Sequence, residues 1–359
     1  MRPETEAELA EIVRGANGPL AVQGGATRHM PAEGDGLTTA GLSGITLYEP
    51  GALTLVVRAG TPMAEIEAAL EAEGQRLPFE PMDHRGLLGT EGVPTIGGAV
   101  ALNVSGPRRV TVGACRDSLI GVRFVDGEGR VVKNGGRVMK NVTGYDLVKL
   151  LAGSRGRLGI LSEVSFKVLP AAATEATLRL DGLSVAEAVR AMASGLTSPF
   201  EVNAAAHDPA AGATWLRIEG LAGSVDYRAG ELADRLAAFG ATIRLDLADS
   251  ARIWRGVRDA EAMAGPGDVW RIHARPSHAP ELVARAGAEA VLLDWGGGLI
   301  WVRVAEGTDL RARLGSFDGH ATRVRGGVDL PPEAPAIAAL TAGLRAKFDP
   351  RGVLAGAGA

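Results

Sequence analysis

Cys115 is the only cysteine among the 359 residues, so no disulfide can close within the chain. Neither a Cys-x-x-Cys zinc site nor an iron–sulfur cluster can be held by this chain alone. No stretch approaches the roughly 20 apolar residues that a membrane-spanning helix needs, and Met1 to Ile12 are charged instead of forming the apolar centre of a secretory signal. Basic residues do not gather: 38 Lys and Arg stand against 42 Asp and Glu, a formal net charge of -4, which argues against a nucleic-acid partner. A cytoplasmic protein is expected, reaching the inner face of a membrane only through partners. Aromatic residues are scarce, and all five Trp (Trp215, Trp254, Trp270, Trp295, Trp301) fall after residue 170, which marks a change of texture there.

Glycine is what the chain has in excess. Its 50 glycines are roughly twice the average share of ~7% and follow no collagen period, which points to tight turns and close backbone approaches. A chain of this length is expected to fold as two domains. The first residues read as a helix with Thr5 as N-cap and Leu9, Ile12 and Val13 on its apolar side. A strand from Leu20 to Val22 runs into Gln23-Gly24-Gly25-Ala26-Thr27-Arg28. Leu42 to Leu47 and Leu53 to Ala59 alternate as strands, and Thr61-Pro62 opens a helix from Met63 to Glu73 with proline in its first turn. Residues 77–93 read as a loop leading to a second glycine-rich turn, Pro94-Thr95-Ile96-Gly97-Gly98-Ala99-Val100. Leu119 to Val125 and Arg130 to Lys133 flank a hairpin turn, Asp126-Gly127-Glu128-Gly129. Tyr145 to Leu151 is helical in pattern and Gly159 to Val168 is a strand. Beyond residues 171–174, helices (Val185 to Ala193, Tyr227 to Phe239) alternate with strands (Thr214 to Ile218, Thr242 to Leu247), which suits a two-layer α/β sandwich. The last helix spans Ala334 to Phe348.

Each of the two glycine turns offers bare peptide N–H groups that can converge on a phosphate, with the Thr27 hydroxyl beside the first. The competing reading is a pair of ordinary tight turns. Neither is a GxGxxG fingerprint or a Walker loop.

The second turn continues through Ala101-Leu102-Asn103-Val104-Ser105-Gly106 to Gly113-Ala114-Cys115-Arg116-Asp117. This run resembles the P-T-[IV]-G-G-x-[VI]-A-x-N-x-x-G... G-x-x-R-D signature of the vanillyl-alcohol-oxidase/p-cresol-methylhydroxylase (PCMH) type FAD domain. A third stretch, Met139-Lys140-Asn141-Val142-Thr143-Gly144-Tyr145-Asp146-Leu147 through Gly153 to Val164, is similar to that family's K-N-x-x-G-Y-D-L... G-S-x-G-x-L-G-I block. The resemblance covers about residues 1–170 and implies an α+β fold. Its FAD-binding domain would comprise two α+β subdomains (about 1–75 and 76–170). An α/β sandwich cap (171–330) would follow, then a C-terminal helix and tail (331–359) returning to the FAD domain.

As implied FAD contacts it nominates Gln23, Gly24, Gly25, Ala26, Thr27 and Arg28; Pro94, Thr95, Ile96, Gly97 and Gly98; Ala101, Asn103 and Gly106; Arg116 and Asp117 along the wall; and Gly159 and Ile160 through main chain. Relatives that tether the flavin use a His where Ala26 stands, and doubly tethered ones a Cys where Val93 stands, so the resemblance implies noncovalent FAD. His29 reads as a hydrogen-bonding loop residue. For Lys140, Tyr145 and Asp146 a structural corner competes with a cofactor role, and Cys115 reads as a buried apolar filler.

After residue 170, Val269 to Ser277, Leu293 to Gly298 with Trp301, and Gly319 to Gly327 resemble the FAD-binding subunits of bacterial glycolate oxidases. That resemblance implies a large FAD-linked subunit and an iron–sulfur subunit as partners. The histidine metal-site patterns of the large subunits do not occur, so no metal is expected. Oxidation of a 2-hydroxyacid requires a cation for the carboxylate and a base for the hydroxyl proton. Arg271, His273 and Arg275 alternate along one strand and are candidates; surface ion pairs around a buried Trp270 are the competing reading. Arg252 and Arg255 read as a solvated helix face. A self-sufficient FAD-dependent D-lactate or glycolate dehydrogenase and a non-redox structural subunit stay open as alternatives. One departure stands out: where the family ends F-D-P-x-G-[IV]-[LF]-N-P-G, this chain reads Phe348-Asp349-Pro350-Arg351-Gly352-Val353-Leu354-Ala355-Gly356, without Asn-Pro. That leaves the contacts of the tail open.

Overall fold

Thr5 is extended and its hydroxyl accepts from the Glu8 amide, which starts the helix Glu6–Gly15 and buries Leu9, Ala10 and Val13. This computed structural model describes residues 1–28, 33–136 and 144–355. His29, Met139 to Thr143 with Lys140, and the tail from Gly356 lie outside the described residues. The chain divides into two units, one of Met1–Ser105, Gly113–Ala171 and Pro332–Ala359, the other of Gly106–Val112 and Ala172–Pro331.

In the first unit, β1 (Leu20–Gln23) and β2 (Asp35–Thr38) pair in parallel, and the C-terminal strand Leu354–Ala355 pairs in parallel along the other side of β1. Loss of Asn-Pro therefore does not prevent the tail from joining this sheet. Then come β3 (Ile45–Glu49), β4 (Thr54–Arg58), β5 (Gln75–Arg76), β6 (Leu119–Val125), β7 (Val131–Gly135), β8 (Ile160–Lys167) and β9 (Leu169–Pro170). An antiparallel sheet runs in the order β3-β4-β8-β6-β7, while β5 pairs with β9. Its inner face buries Leu55, Val57, Phe124, Val164 and Phe166 against Ile66 and Leu70 of the helix Met63–Glu71. The β6–β7 hairpin closes as its residues dictate: Gly129 takes φ 76, and the buried Asp126 carboxylate accepts from the Glu128 and Arg130 amides. Pro62 is the N-cap of Met63–Glu71, one position before the expected first turn, because the Met63 amide donates to Pro94 O at 2.8 Å. The loop expected over 77–93 contains a short helix, Arg85–Leu88.

The second unit is built on β10 (Thr174–Asp181), β11 (Val202–Asp208), β12 (Ala213–Gly220), β13 (Thr242–Arg244), β14 (Asp268–Ala274), β15 (Ala290–Asp294), β16 (Leu299–Val304) and β17 (Gly319–Arg325). These form one antiparallel sheet in the order β13-β10-β12-β11-β15-β16-β14-β17. Helices Val185–Leu196, Ala222–Leu236 and Ala279–Ala286 cover one face, where Leu178, Leu216, Ile218, Trp270, Ile272, Ile300 and Val302 meet Met192, Leu232 and Leu282. Side chains alternate across a strand. With Trp270 and Ile272 in this core, Arg271 and His273 stand on the opposite face.

Candidate functional site

In the first unit β1 delivers the chain into residues 23–28, and the glycines there do something other than supply positive φ. Gly24 and Gly25 are not among the residues with φ above zero; Ala26, at φ 55, is. A Cβ on Gly25 would lie 1.5 Å from Val93 O, and one on Gly24 would lie 2.5 Å from Thr95 Oγ1. The two glycines thus admit the second motif at backbone contact, and Val93 N–H donates to Gly25 O at 2.8 Å. The Thr38 hydroxyl donates to Gly24 O and the Thr90 hydroxyl to Thr27 O, each at 2.9 Å. The turn's carbonyls are held inward, whereas among the described residues the amides of Gly24, Gly25, Ala26 and Thr27 meet no acceptor. Successive unpaired amides around a left-handed residue can form an anion-binding concavity. A non-glycine residue held at positive φ is the kind of local strain that accompanies such sites.

The second motif is a helix, not a turn. Thr95 caps Ile96–Ala101, its hydroxyl accepting from Gly98 N at 3.3 Å. Gly97 packs on β4's end: its amide donates to Ala59 O at 2.8 Å and a Cβ would lie 2.7 Å from that oxygen. Gly98 faces Arg28, whose Nη1 donates to Gly98 O at 2.8 Å while Nη2 contacts His84 Nδ1 at 3.3 Å. Pro94, Thr95, Ile96, Gly97 and Gly98 are therefore brought together with residues 23–28.

The other nominated residues hold the surrounding backbone. Ala101 O accepts from Arg155 N at 2.9 Å. Asn103, at φ 49, accepts on Oδ1 from the Arg116 amide at 3.0 Å. Asp117 accepts from Ala114 N at 2.8 Å and pairs loosely with Lys149 at 3.8 Å. Gly159 makes room for Phe124, whose ring would lie 2.3 Å from a Cβ, and Ile160 is buried opposite Val125. Gly106 belongs to the second unit, where its carbonyl accepts from Trp295 Nε1 at 3.0 Å. Asp146 caps the helix Leu147–Leu151 through Lys149 N, the structural corner that competed with a cofactor role. Burial, then the neighbouring Asp117 carboxylate, push the Cys115 thiol up, so it stays protonated and inert.

On the face of the second unit's sheet opposite those three helices, where Trp254 of the helix Leu247–Arg258 also packs on Thr177, a cluster of cations and rings gathers. The β14–β17 register sets His273 opposite His320, with ring centroids 4.7 Å apart, and the β14–β16 register sets Arg271 opposite Trp301. The Arg109 guanidinium lies 4.7 Å from the Trp295 ring centroid and that of Arg271 lies 5.5 Å from it. Burial, then the charges of Arg271, His320 and Arg109, push His273 down to about 2, which keeps its imidazole neutral. Arg275 does not share this face, which corrects the expected alternation. The strand ends at Ala274 because Pro276, lacking an N–H, starts a short 3-10 turn, and Arg275 is exposed and paired with Asp318 at 2.7 Å. Strand pairing places Trp301 and His320 in this cluster, while Arg109 enters it from the helix Arg109–Val112 and Trp295 from the turn Trp295–Gly297, neither of them set by strand register. Arg252 lies on the solvated side of its helix, paired with Asp249.

Among the described residues no helix is long and apolar enough to cross a membrane. A family of FAD binding domains matches residues 1–135. The chain is 36% identical to glycolate oxidase subunit GlcE of Escherichia coli (strain K12) over 315 residues, 86% of this chain and 83% of that protein. It is 35% identical to glycolate oxidase subunit GlcD of Bacillus subtilis (strain 168) over 126 residues, 35% of this chain and 25% of that protein. It is 33% identical to a D-lactate dehydrogenase of Anaerostipes hadrus over 124 residues, 34% of this chain and 24% of that protein. Among solved structures, alkyldihydroxyacetonephosphate synthase superposes with a TM-score of 0.72 at 14% identity, covering 99% of this chain and 76% of that one, a likeness of fold.

Proposed function

Since the chain belongs to the family of glycolate oxidase subunit GlcE, we propose that it is the FAD-binding subunit of a glycolate-oxidising complex, supporting conversion of glycolate to glyoxylate while electrons leave through partner subunits. The observation that supports this place for the cofactor is the run of amides from Gly24 to Thr27 that meet no acceptor among the described residues, in a turn braced by Val93, Thr38 and Thr90. Those amides would take the diphosphate, with Arg28 fixing the turn to Gly98. Bound FAD supplies the two-electron acceptor for the oxidation.

FAD is held noncovalently: neither Ala26 nor Val93 has a side-chain atom that can form a tether, and the Cys115 thiol is fully buried. The partners are a large FAD-linked subunit and an iron–sulfur subunit, the second needed because one cysteine cannot hold a cluster. Any association with the inner face of a membrane comes through them. Arg271 and His273 would meet a carboxylate and its neighbouring hydroxyl.

The test is a purified yellow chain from which acid denaturation releases all flavin as FAD, and which reduces a dye with glycolate only after the two partner subunits are added. A colourless chain that fails to take up FAD overturns the cofactor assignment. Glycolate-dependent turnover by the chain alone replaces the subunit reading with that of a complete dehydrogenase.

A further inference from the structure

The helix Pro335–Phe348 of the first unit carries an apolar stripe that the unit covers only in part. Ile337, Leu340, Leu344 and Phe348 recur at three and four residues and so fall on one face. Leu344 and Phe348 pack against the core built on β4, β6 and β8, with the Phe348 ring centroid 6.1 Å from that of Phe124. Ile337 and Leu340 continue the same stripe but are 53% and 66% exposed. From residue 334 to residue 344 no side chain is charged. A helix in water shows its polar side, so a stripe that stays apolar past the edge of its own core marks a surface for another molecule.

The charges beside this helix indicate which molecule. Arg345 follows Leu344 on the helix, Arg157 from the loop before β8 lies within electrostatic reach of Arg345 and Glu333, and Arg155 lies within reach of Arg157. All three arginines are half-buried. Arg155 sits at φ 59, its amide donating to Ala101 O at 2.9 Å. Burial, then the Arg157 charge, lowers the Arg155 guanidinium from its ordinary value. Among the described residues neither Arg155 nor Arg345 pairs with a carboxylate, and Arg345 Nε is buried without a hydrogen-bond partner. Partly desolvated cations of one sign favour a partner that brings carboxylates. A second copy would bring the same arginines, and a two-fold contact between copies would leave their charge uncompensated. An anionic lipid surface draws on extended basic side chains, whereas these are withdrawn beside a loop and a helix.

We propose that the stripe of Ile337 and Leu340, with Arg155, Arg157 and Arg345 beside it, is the docking surface for the large FAD-linked subunit, which meets it with apolar side chains rimmed by carboxylates. An apolar centre with arginines at its border is the usual make-up of a specific protein interface. The identity of the partner rests on the subunit reading above; the surface itself rests on the first unit alone.

The experiment titrates the purified large FAD-linked subunit of the same organism into the purified holo chain by calorimetry, and follows amide exchange with and without it. Exchange across residues 335–344 should be fast in the free chain and at least tenfold slower in the complex. Leu340→Gln and Arg345→Gln should each raise the dissociation constant at least tenfold, and Arg345→Lys should recover part of the loss. Added salt should weaken the parent complex more than that of Arg345→Gln. Leu221→Gln, at a leucine 74% exposed on the second unit, should leave the constant unchanged. Flavin absorbance and the melting temperature are read on every sample, and weakened binding with both retained assigns the surface. A complex of unaltered affinity in Leu340→Gln and Arg345→Gln, or slow exchange across 335–344 before the partner is added, overturns the proposal and leaves the subunit reading standing. No complex at all overturns both. Self-association of the free chain, or its sedimentation with phosphatidylglycerol vesicles, overturns the proposal in favour of a second copy or a lipid surface if Leu340→Gln abolishes it.

Discussion

Ala26 is the residue at which the proposed diphosphate cradle can be tested without disturbing the fold. It is exposed and already at φ 55, a conformation that Asp and Asn tolerate better than other side chains. Ala26→Asp adds a negative charge beside the amides of residues 24–27, and Ala26→Asn adds the same bulk without it. A unit charge brought within about 8 Å of another at an effective dielectric near 20 costs about 2 kcal/mol. FAD affinity should therefore fall more than tenfold in Ala26→Asp and less than threefold in Ala26→Asn, with both melting within about 2 °C of the parent. Equal affinities in an FAD titration would move the anion site elsewhere. Gly97→Asp would be a poor probe of the cradle, because any Cβ there meets Ala59 O at 2.7 Å. At this scale the glycine pairs are legible in the chain but their use is not. Whether a glycine turns the backbone or admits a neighbour depends on Val93 and Ala59, which only the folded chain brings near.

The helix Glu6–Gly15 is docked by its first residue. Glu6 accepts from Arg123 Nε at 3.0 Å and from the Ser162 hydroxyl at 2.6 Å, clamping the helix to β6 and β8. Burial alone would raise the Glu6 carboxyl, but the hydrogen bonds from Arg123 and Ser162 outweigh it and hold it below the ordinary value of 4.5. Since the folded value is depressed, the contribution is complete above the ordinary value and is lost as pH falls through the folded one. Glu6→Gln should cost about 1 kcal/mol at neutral pH, discounted for partial exposure, and the gap to the parent in urea midpoints should close in acid. A gap that persists unchanged at pH 3 would place the loss in packing instead of charge. Capped or punctuated elements were readable in advance: Thr5, the Asp126 hairpin, and the strand ahead of residue 23. The helix Ile96–Ala101 was not, because two glycines at its second and third positions read as a turn until the Thr95 hydroxyl is seen capping Gly98 N. The strand face of Arg271 and His273 was readable from alternation, and the end of that strand was misplaced by the proline after Arg275.

The units are discontinuous, and sequence order hides both excursions: residues 106–112 belong with the second unit and residues 332–359 with the first. Local pattern cannot report them, since each is set by contacts with residues more than 150 positions away, such as Gly106 with Trp295 and Leu354 with Leu20. The C-terminal return has a consequence for the whole first unit. Asp349 accepts from the Val353 and Leu354 amides, Arg351 donates to the carbonyls of Val13 and Arg14, and Val353 and Leu354 bury themselves beside Leu9, Val13 and Leu20. Ending the chain at Phe348 removes these contacts and leaves β1 paired on one side only. Losing two buried aliphatic side chains alone costs about 4 kcal/mol. The truncated chain should unfold at a clearly lower urea concentration and, because β1 leads directly into Gly24, release FAD more readily than the parent does. Leu354→Ala should shift both in the same direction by less. If the truncated chain unfolds earlier yet binds FAD as tightly below its transition, β2 and residues 93–98 suffice to hold the cradle, and the returning strand serves stability alone.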